Sequence, residues 1–535
     1  MRKPITIKCA KLCAGTWLVP RKAIAHFLAA VFCVLALQSR AQSPPVVWSK
    51  QIAGPFQTSQ NAGVALDQQD NFYYAANFVP RTFTIGNQTL TNRSAYAGYW
   101  AENGFIAKFS RAGDFLWVRQ IGGTWSDGPT ACATDADGSV LVTGAFASSN
   151  VVFGGTVLTN SAQDVASCFL VKYDSQGDVL WARQSSYGPA QETGGTTVIG
   201  LSVAADAVGN VWLAGYFDSS NVIFGTNVLI NTGYGGSTPV TQDFLLKYDS
   251  AGNVLWAQTV AVNDNLFNTP SIGLDTNGNA LYSDYFSGVA LVGTTTVTNV
   301  SGNASGVLLA KFDAGGNVLW AEQAAYCGNG GGISSDALAV DSQGNCRIAG
   351  TYWNGAAVFA SNSLPVPVSD GYGGFVANFG GSGAFLWANT SADQYGVNVS
   401  IDAIGNCYLA GFAAISKYAT NGTLLWTTNS LGFFGPEVGA VDPAGTLFVV
   451  GATDGLADGF SAAKLSGPTL NIQPSGNQVV VSWPTNEVGL SLGSAPGLFG
   501  PWSPVTNPSP AIIGNQYFVT NTVSPGRQYF RLGNF

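Results

Sequence analysis

Histidine is all but missing from this chain: there is one in 535 residues, His26, and it lies near the N-terminus. Without imidazole there is no His-based zinc site and no Ser-His or Cys-His catalytic arrangement, so any catalysis would fall to carboxylates, Tyr, Lys or Ser. Charge is also scarce, at 10% of residues. Of eight cysteines, Cys9, Cys13 and Cys33 fall in the first 41 residues; the five that remain are an odd, scattered set, which is not a disulfide framework. Cys346 and Cys407 occupy one position in successive repeats (Gly344-Asn345-Cys346, Gly405-Asn406-Cys407) and read as small buried apolar side chains, while a Cys132–Cys168 pairing is left open. What is abundant is glycine, 67 residues, together with aromatic and β-branched side chains, a composition of short strands joined by tight turns.

Residues 1–41 have the layout of a secretory signal: basic Arg2, Lys3, Lys8, Lys11, Arg21 and Lys22, an apolar run from Ala23 to Leu37, then Ser39-Arg40-Ala41 as a small-x-small cleavage site. The run is shorter than the roughly 20 residues a transmembrane helix needs, so cleavage after Ala41 and no membrane span in the mature chain are expected. Bulky Phe32 before Cys33 argues against a lipidated cysteine. Cleavage removes seven of the 22 basic residues and none of the 30 acidic ones, leaving a net charge of −15. Nucleic acid and anionic membrane are thereby disfavoured as partners. The expected setting is exported: extracellular, cell-surface or periplasmic.

The dominant signal is repetition. An Asp-turn recurs seven times, opening at Asp67, Asp135, Asp206, Asp275, Asp341, Asp402 and Asp442. It stands each time between two short apolar segments, with Gly three positions after the Asp in all but the first copy. The Asp can bond its own backbone and the Gly can take positive φ, so each unit reads as a β-hairpin. A second hairpin alternates with it, running from Lys108 to Trp117, Lys172 to Trp181, Lys247 to Trp256, Lys311 to Trp320 and Lys417 to Trp426, with Asn378 in the Lys position before Trp387. The last copy, Phe460 to Leu465, has no Trp after it. The missing strand lies at the other end of the chain, where Val46-Val47-Trp48 matches Val179-Leu180-Trp181.

Two hairpins per repeat give four strands, A to D. The Trp48 strand completes the last sheet and removes the open edges of a ring. Lys-Tyr-Asp-x-x-Gly-x-x-Leu-Trp alternating with Asp-x-x-Gly-Asn resembles the bacterial β-propeller repeat family, over nearly all of residues 45–466. The resemblance implies an all-β, seven-bladed β-propeller of four-stranded blades in an extracytoplasmic setting, with no catalytic residues to carry over. The expected layout is a signal peptide at 1–41, the propeller at 42–467 and a small β-sandwich at 468–535, whose strand-like runs include Gln478–Trp483 and Gln516–Val519. Val-Ser-Trp483-Pro and Phe530-Arg-Leu resemble the tail domains of exported bacterial proteins.

Strand alternation puts the A–B and C–D turns on one face of the disc and the long, unequal B–C and D–A loops on the other, which makes the loop face the candidate binding face. Each D–A loop carries an aromatic: Phe56, Trp125, Tyr187, Phe267, Tyr326, Tyr395, and Phe433 with Phe434. Asp127, Glu192, Asp264, Asp336, Asp393 and Glu437 lie near them. These residues either ring the channel mouth as stacking platforms and hydroxyl acceptors for a glycan, or plug the gaps between blades. The repeated Trp48, Trp117, Trp181, Trp256, Trp320, Trp387 and Trp426 read as blade-to-blade packing.

Three motif tests return nothing. The sialidase Asp-box has one residue fewer on each side of its Gly than Asp174 to Trp181; the docking motif of quinoprotein dehydrogenases needs a threonine and a longer interval; and Asp135-Ala-Asp137-Gly lacks the further carboxylates of a calcium loop. No metal or cofactor is expected. The expectation is a non-catalytic binding or scaffold protein, a monomer, that contacts a glycan or a surface protein through the loop face. The alternative is a polysaccharide hydrolase or lyase built on a carboxylate pair, for which a chain with only five glutamates, and aspartates mostly placed in turns, offers little.

Overall fold

The computed structural model describes residues 46–53, 63–94, 102–160, 165–187, 197–232, 240–263, 269–301, 305–328, 330–367, 371–396, 398–412, 414–429, 438–452, 460–465, 471–475, 478–484, 491–495, 503–506, 508–513, 516–522 and 529–533. The signal segment, Phe56, Glu192, Asp264, Phe267, Phe433, Phe434 and Glu437 lie outside them. All the regular elements among the described residues are β-strands, and no helix there is long and apolar enough to cross a membrane.

The repeat folds as antiparallel four-stranded sheets. The first runs Gly63–Leu66, Phe72–Phe78, Asn103–Phe109, Phe115–Ile121. The second runs Asp127–Thr134, Val140–Phe146, Ser167–Tyr173, Val179–Gln184, and the third Val198–Ala205, Val211–Phe217, Thr241–Tyr248, Val254–Asn263. The fourth comprises Ser271–Leu274, Ala280–Phe286, Gly306–Phe312 and Val318–Cys327; the fifth Ala337–Val340, Cys346–Trp353, Tyr372–Phe379 and Phe385–Thr390; the sixth Asn398–Ile401, Cys407–Ala410, Ala414–Tyr418 and Leu424–Asn429. In the seventh, Val438–Val441, Leu447–Ala452 and Phe460–Leu465 are followed by Val46–Ala53 from the far end of the chain, with Trp48 opposite Lys464 and Ser49 opposite Ala463.

The turn chemistry explains why these segments pair as they do. In the third sheet's A–B turn, Asp206 Oδ1 accepts from the backbone N–H of Val208 and Asn210 at 3.2 and 2.9 Å, Asn210 Nδ2 donates to the other oxygen at 2.8 Å, and Gly209 sits at φ 82°. The first turn, which lacks the glycine, places Asp70 at φ 58° instead, a conformation that Asp tolerates better than most residues.

Sheet-to-sheet contact is made by the same residues each time. The indole N–H of Trp117 donates to the Ser175 carbonyl (3.1 Å) in the C–D turn of the next sheet. Trp181 does so to Ser250 (3.0 Å), Trp256 to Ala314 (3.4 Å), Trp320 to Gly381 (3.2 Å) and Trp387 to Thr420 (2.8 Å), while Trp48 reaches Arg111 of the first sheet (3.3 Å). The turn glycine lies flat against the same indole: a Cβ on Gly177 would come within 2.9 Å of Trp117, and one on Gly252 within 2.8 Å of Trp181. This accounts for the Gly-x-x-x-Trp spacing, with the glycine serving the Trp of the preceding sheet. In the first four sheets the strand-C lysine joins its own sheet's Asp-turn, at 3.0 Å for Lys108–Asp67, 2.6 Å for Lys172–Asp135, 3.2 Å for Lys247–Asp206 and 2.9 Å for Lys311–Asp275. Burial alone would raise the Asp206 carboxyl, but hydrogen bonds from Asn210 and Lys247 outweigh it and hold the group below the ordinary carboxylate value.

Apolar clusters fill the spaces between consecutive sheets. Tyr73 and Trp117 of the first sheet pack with Val142 and Phe169 of the second; Val438 and Phe448 of the seventh pack with Phe72 and Phe105 of the first. The four-strand repeat omits one feature: the B–C connections of the first five sheets each contain a further short hairpin, Thr82–Ile85 with Gln88–Thr91, Asn150–Phe153 with Thr156–Thr159, Asn221–Phe224 with Asn227–Ile230, Val289–Val292 with Thr295–Thr298, and Ala357–Phe359 with Asn362–Ser363. Two of these pair with the D strand of the preceding sheet, through Ala53 opposite Ile85 and Tyr326 opposite Val358. Each buries its alternate residues, as Val151, Phe153 and Leu158 do. The hairpins thus present one apolar face to the neighbouring sheets and one to solvent.

The five cysteines of the described chain are free thiols, Cys346 and Cys407 fully buried and Cys132 unpaired with Cys168. Residues 471–533 form two further sheets, one of Asn471–Ser475, Gln478–Pro484, Gln516–Thr522 and Ala511–Ile513, the other of Ser503–Pro504, Ser491–Ala495 and Tyr529–Gly533. They share a small core of Val481, Trp483, Leu492 and Val519.

Candidate functional site

The first strands of all seven sheets contribute to the wall of one cavity of about 490 Å³. Its polar lining includes Thr130, Ser202, Thr269, Ser271, Asp336 and Asn398, and its aromatic lining comes from Tyr395 and Phe412. Asp336 immediately precedes strand Ala337–Val340, Tyr395 lies in the connection from the fifth sheet to the sixth, and Phe412 in the B–C connection of the sixth. All three therefore stand on the loop side of the strands. Burial pushes the Asp336 carboxyl up to about 6, against hydrogen bonds from Ser334 and from Thr351, whose hydroxyl donates at 3.2 Å.

Tyr395 belongs to an aromatic run. Its ring packs on Phe412 at 5.2 Å and on Tyr372 at 5.9 Å, and Tyr372, 42% exposed, packs in turn on Trp353 at 6.1 Å. Four rings thus lead from the surface of the fifth sheet to the cavity mouth. Such a run offers apolar faces edged by hydroxyl and indole groups, which suits sugar rings or aromatic and aliphatic side chains.

Of the residues singled out in the sequence, Asp336 and Tyr395 are the ones this cavity brings together. Trp125 is 40% exposed and its backbone is held elsewhere: its main-chain N–H donates to Ser148 Oγ at 2.8 Å and its main-chain carbonyl accepts from Asn103 Nδ2 at 3.2 Å. Asp127, expected as a ligand acceptor, is only 2% exposed and ties that loop down, accepting from the backbone N–H of Gly123 (2.6 Å), Ala147 (2.9 Å) and Ser148 (2.8 Å). Asp393 likewise accepts from Ala414 N–H at 3.1 Å and is 8% exposed. Tyr187 packs on the cluster between the second and third sheets and donates its hydroxyl to the Ala166 carbonyl, and Tyr326 is half-buried beside the hairpin strand Ala357–Phe359. For Asp127 and Tyr187, the gap-filling and loop-fixing role describes what the side chains touch.

Sequence reasoning missed Trp353, Tyr372 and Phe412, because none falls at a repeated position. It also missed a carboxylate pair between the third and fourth sheets. Asp243 and Asp284 are both fully buried; the Tyr282 hydroxyl donates to Asp243 Oδ2 at 2.8 Å and lies 3.4 Å from Asp284 Oδ2. Burial, reinforced by the charge of Asp243, raises the Asp284 carboxyl well above the ordinary value. Among the described residues no cluster of three or more His, Cys, Asp or Glu is arranged to hold a metal ion.

No protein-family model matches the chain. An uncharacterized WD repeat-containing protein of Acanthamoeba polyphaga mimivirus is 22% identical over 464 residues, covering 72% of this chain and 32% of that protein. The chain thus spans about a third of the length of this curated relative. Among solved structures, the Dos1 propeller aligns at 10% identity over 79% of this chain and 95% of its own, with a TM-score of 0.39. A chain of a mitotic checkpoint complex aligns at 10% identity over 85% and 98%, also with a TM-score of 0.39. In architecture this is a β-propeller repeat protein. Propellers of this kind commonly serve as binding platforms, and fold alone does not assign a ligand.

Proposed function

We propose that the chain is an exported, non-catalytic binding or scaffold protein whose seven sheets are the blades of one ring, closed by the Trp48 strand, with a small β-sandwich after it. Support for the ring comes from the recurring Trp-to-turn bonds, from the shared cluster of the seventh and first sheets, and from one cavity wall drawn from seven first strands. Support for export is the signal-like segment at 1–41. The ligand is a glycan or an exposed segment of a surface protein, met on the loop face.

The observation that carries the binding reading is the aromatic run Trp353–Tyr372–Tyr395–Phe412 ending at the cavity mouth beside Asp336. Glycoside cleavage needs two carboxyl groups about 5–9.5 Å apart across the substrate; among the described lining residues of the cavity, Asp336 is the one carboxylate. The test is calorimetric titration of residues 42–535 with soluble oligosaccharides. A saturable response that weakens roughly tenfold or more in Tyr395→Ala, consistent with the ~1 kcal/mol or more of an aromatic contact, supports the reading. A response unaffected by that change would remove the aromatic run from the site.

A further inference from the structure

The fifth sheet breaks the repeat at one position, and a second cavity lies there. In three other junctions the strand-C lysine bridges its own Asp-turn and the turn of the next sheet: Lys108 Nζ reaches the Ser175 carbonyl, Lys247 that of Ala314 and Lys311 that of Gly381, each at 3.3 Å. The accepting carbonyl is in each case the one that also receives the Trp N–H. In the fifth sheet the position is Asn378, too short to span that distance. The cation is supplied instead by Arg347, its direct cross-strand neighbour, which pairs with Asp341 at 2.6 Å and donates to the Gly405 carbonyl at 2.9 Å. The Thr420 carbonyl keeps its Trp387 bond and receives no lysine.

Beside Asn378 lies a cavity of about 480 Å³ between the fifth and sixth sheets, on the turn side, lined among others by Asp341, Arg347, Asn378, Asn406, Thr420 and Asn421. That is within the range of small-molecule pockets and far above the volume of one water. Two of these lining residues each carry a polar atom buried without a partner, Arg347 Nε and Asn378 Oδ1, on side chains only 1% and 2% exposed. One is a donor and one an acceptor, on directly paired residues. Orphaned buried groups are costly and ask for a ligand that satisfies both. A hydroxyl does so, giving its proton to Asn378 and accepting from Arg347. The neighbouring wall is neutral overall, since Arg347 is matched by Asp341, and it is rich in amides, a surface for hydroxyls rather than for a net charge.

We propose that this junction is a binding site for a small neutral polyhydroxyl molecule of monosaccharide size, separate from the loop-face cavity and independent of the reading given to it. The experiment is calorimetric titration of residues 42–535 with D-glucose, D-galactose, D-mannose and myo-inositol, with inorganic phosphate as the charged comparison. The expected result is one-to-one binding of at least one of the neutral compounds and none of phosphate. Asn378→Lys, which restores the residue of the other sheets, removes the acceptor and projects a longer side chain into the cavity, should weaken binding at least tenfold, whereas Tyr395→Ala should leave it intact. Absence of heat with all four neutral compounds, tighter binding of phosphate, or binding that survives Asn378→Lys would overturn the assignment. Should that lysine variant unfold, Asn378→Leu removes the same acceptor without adding charge and is read against the same criteria.

Discussion

The Gly-x-x-x-Trp spacing can be tested by a comparison the repeat itself supplies. Gly177 and Gly138 have nearly the same backbone, φ 82° and 76°, in turns of the same sheet. They differ in what an added methyl would meet. At Gly138 there is nothing within 4 Å, whereas at Gly177 the new Cβ would stand 2.9 and 3.0 Å from Cδ2 and Cε2 of Trp117. Gly138→Ala should therefore cost only the left-handed backbone term, ~1–2 kcal/mol. Gly177→Ala should cost that plus overpacking against a ring held on its other side by the core, a further ~1–3 kcal/mol. The indole is only 8% exposed and its N–H is fixed on Ser175, so it cannot swing away cheaply.

Urea unfolding of the two variants, read as the difference in midpoint at constant m, isolates the packing term. A third variant sharpens the comparison. If the clash is with the indole, Trp117→Leu should remove most of the extra cost, so Gly177→Ala in that background should be little worse than Gly138→Ala, a strongly non-additive cycle. Equal destabilisation by the two alanines, or simple additivity in the double variant, would refute the claim that the glycine exists for the Trp of the preceding sheet.

Two further outcomes follow from buried groups and from the displaced strand. The carboxyl of Asp284 is raised in the folded chain, so its contribution to stability is complete below about pH 4, the unfolded value, and is lost as pH rises toward its native value, with a slope of up to ~1.4 kcal/mol per pH unit for one proton. Asp284→Asn should flatten that limb, leaving the melting temperature near pH 5 little changed and raising it near pH 8; parallel profiles for the two chains would refute the raised Asp284 carboxyl. A chain beginning after Ala53 leaves Phe460–Leu465 paired with Leu447–Ala452 alone and its outer edge with a row of unpaired backbone groups. It should melt lower and aggregate, and addition of a peptide of residues 46–53 should restore part of the loss; an unchanged melting temperature would mean that the strand does not hold the seventh sheet.

The sequence made legible whatever recurs. Seven Asp-turns and their Trp hairpins announce themselves because each copy must meet the same neighbour in the same way, and the structure shows the shared contact: one turn carbonyl taking both the Trp N–H and, in three junctions, the lysine. Even the displaced Trp48 strand could be read, since it carries the repeat's own pattern. The B–C hairpins were harder. Phe153-Gly154 with Leu158 and Phe224-Gly225 with Leu229 do recur, but strands of four residues whose outer faces expose Val152, Val157 and Val228 look like apolar-tinged loops until the preceding sheet is in place to cover the other face. The candidate sites were hardest, for a reason intrinsic to repeats. A position identical in every copy is identical because it packs, so the residues free to bind a ligand are those that differ, and differences carry no periodic signal. Trp353, Tyr372 and Phe412 are such residues. Asn378 is the instructive exception: it stood out in the sequence as a broken repeat, and only the arrangement of Arg347 and the unfilled space beside it turn that irregularity into chemistry. The same logic directs mutagenesis to the fifth and sixth sheets, where the repeat is broken at Asn378 and where the aromatic run and the amide-lined cavity lie on opposite faces of one junction.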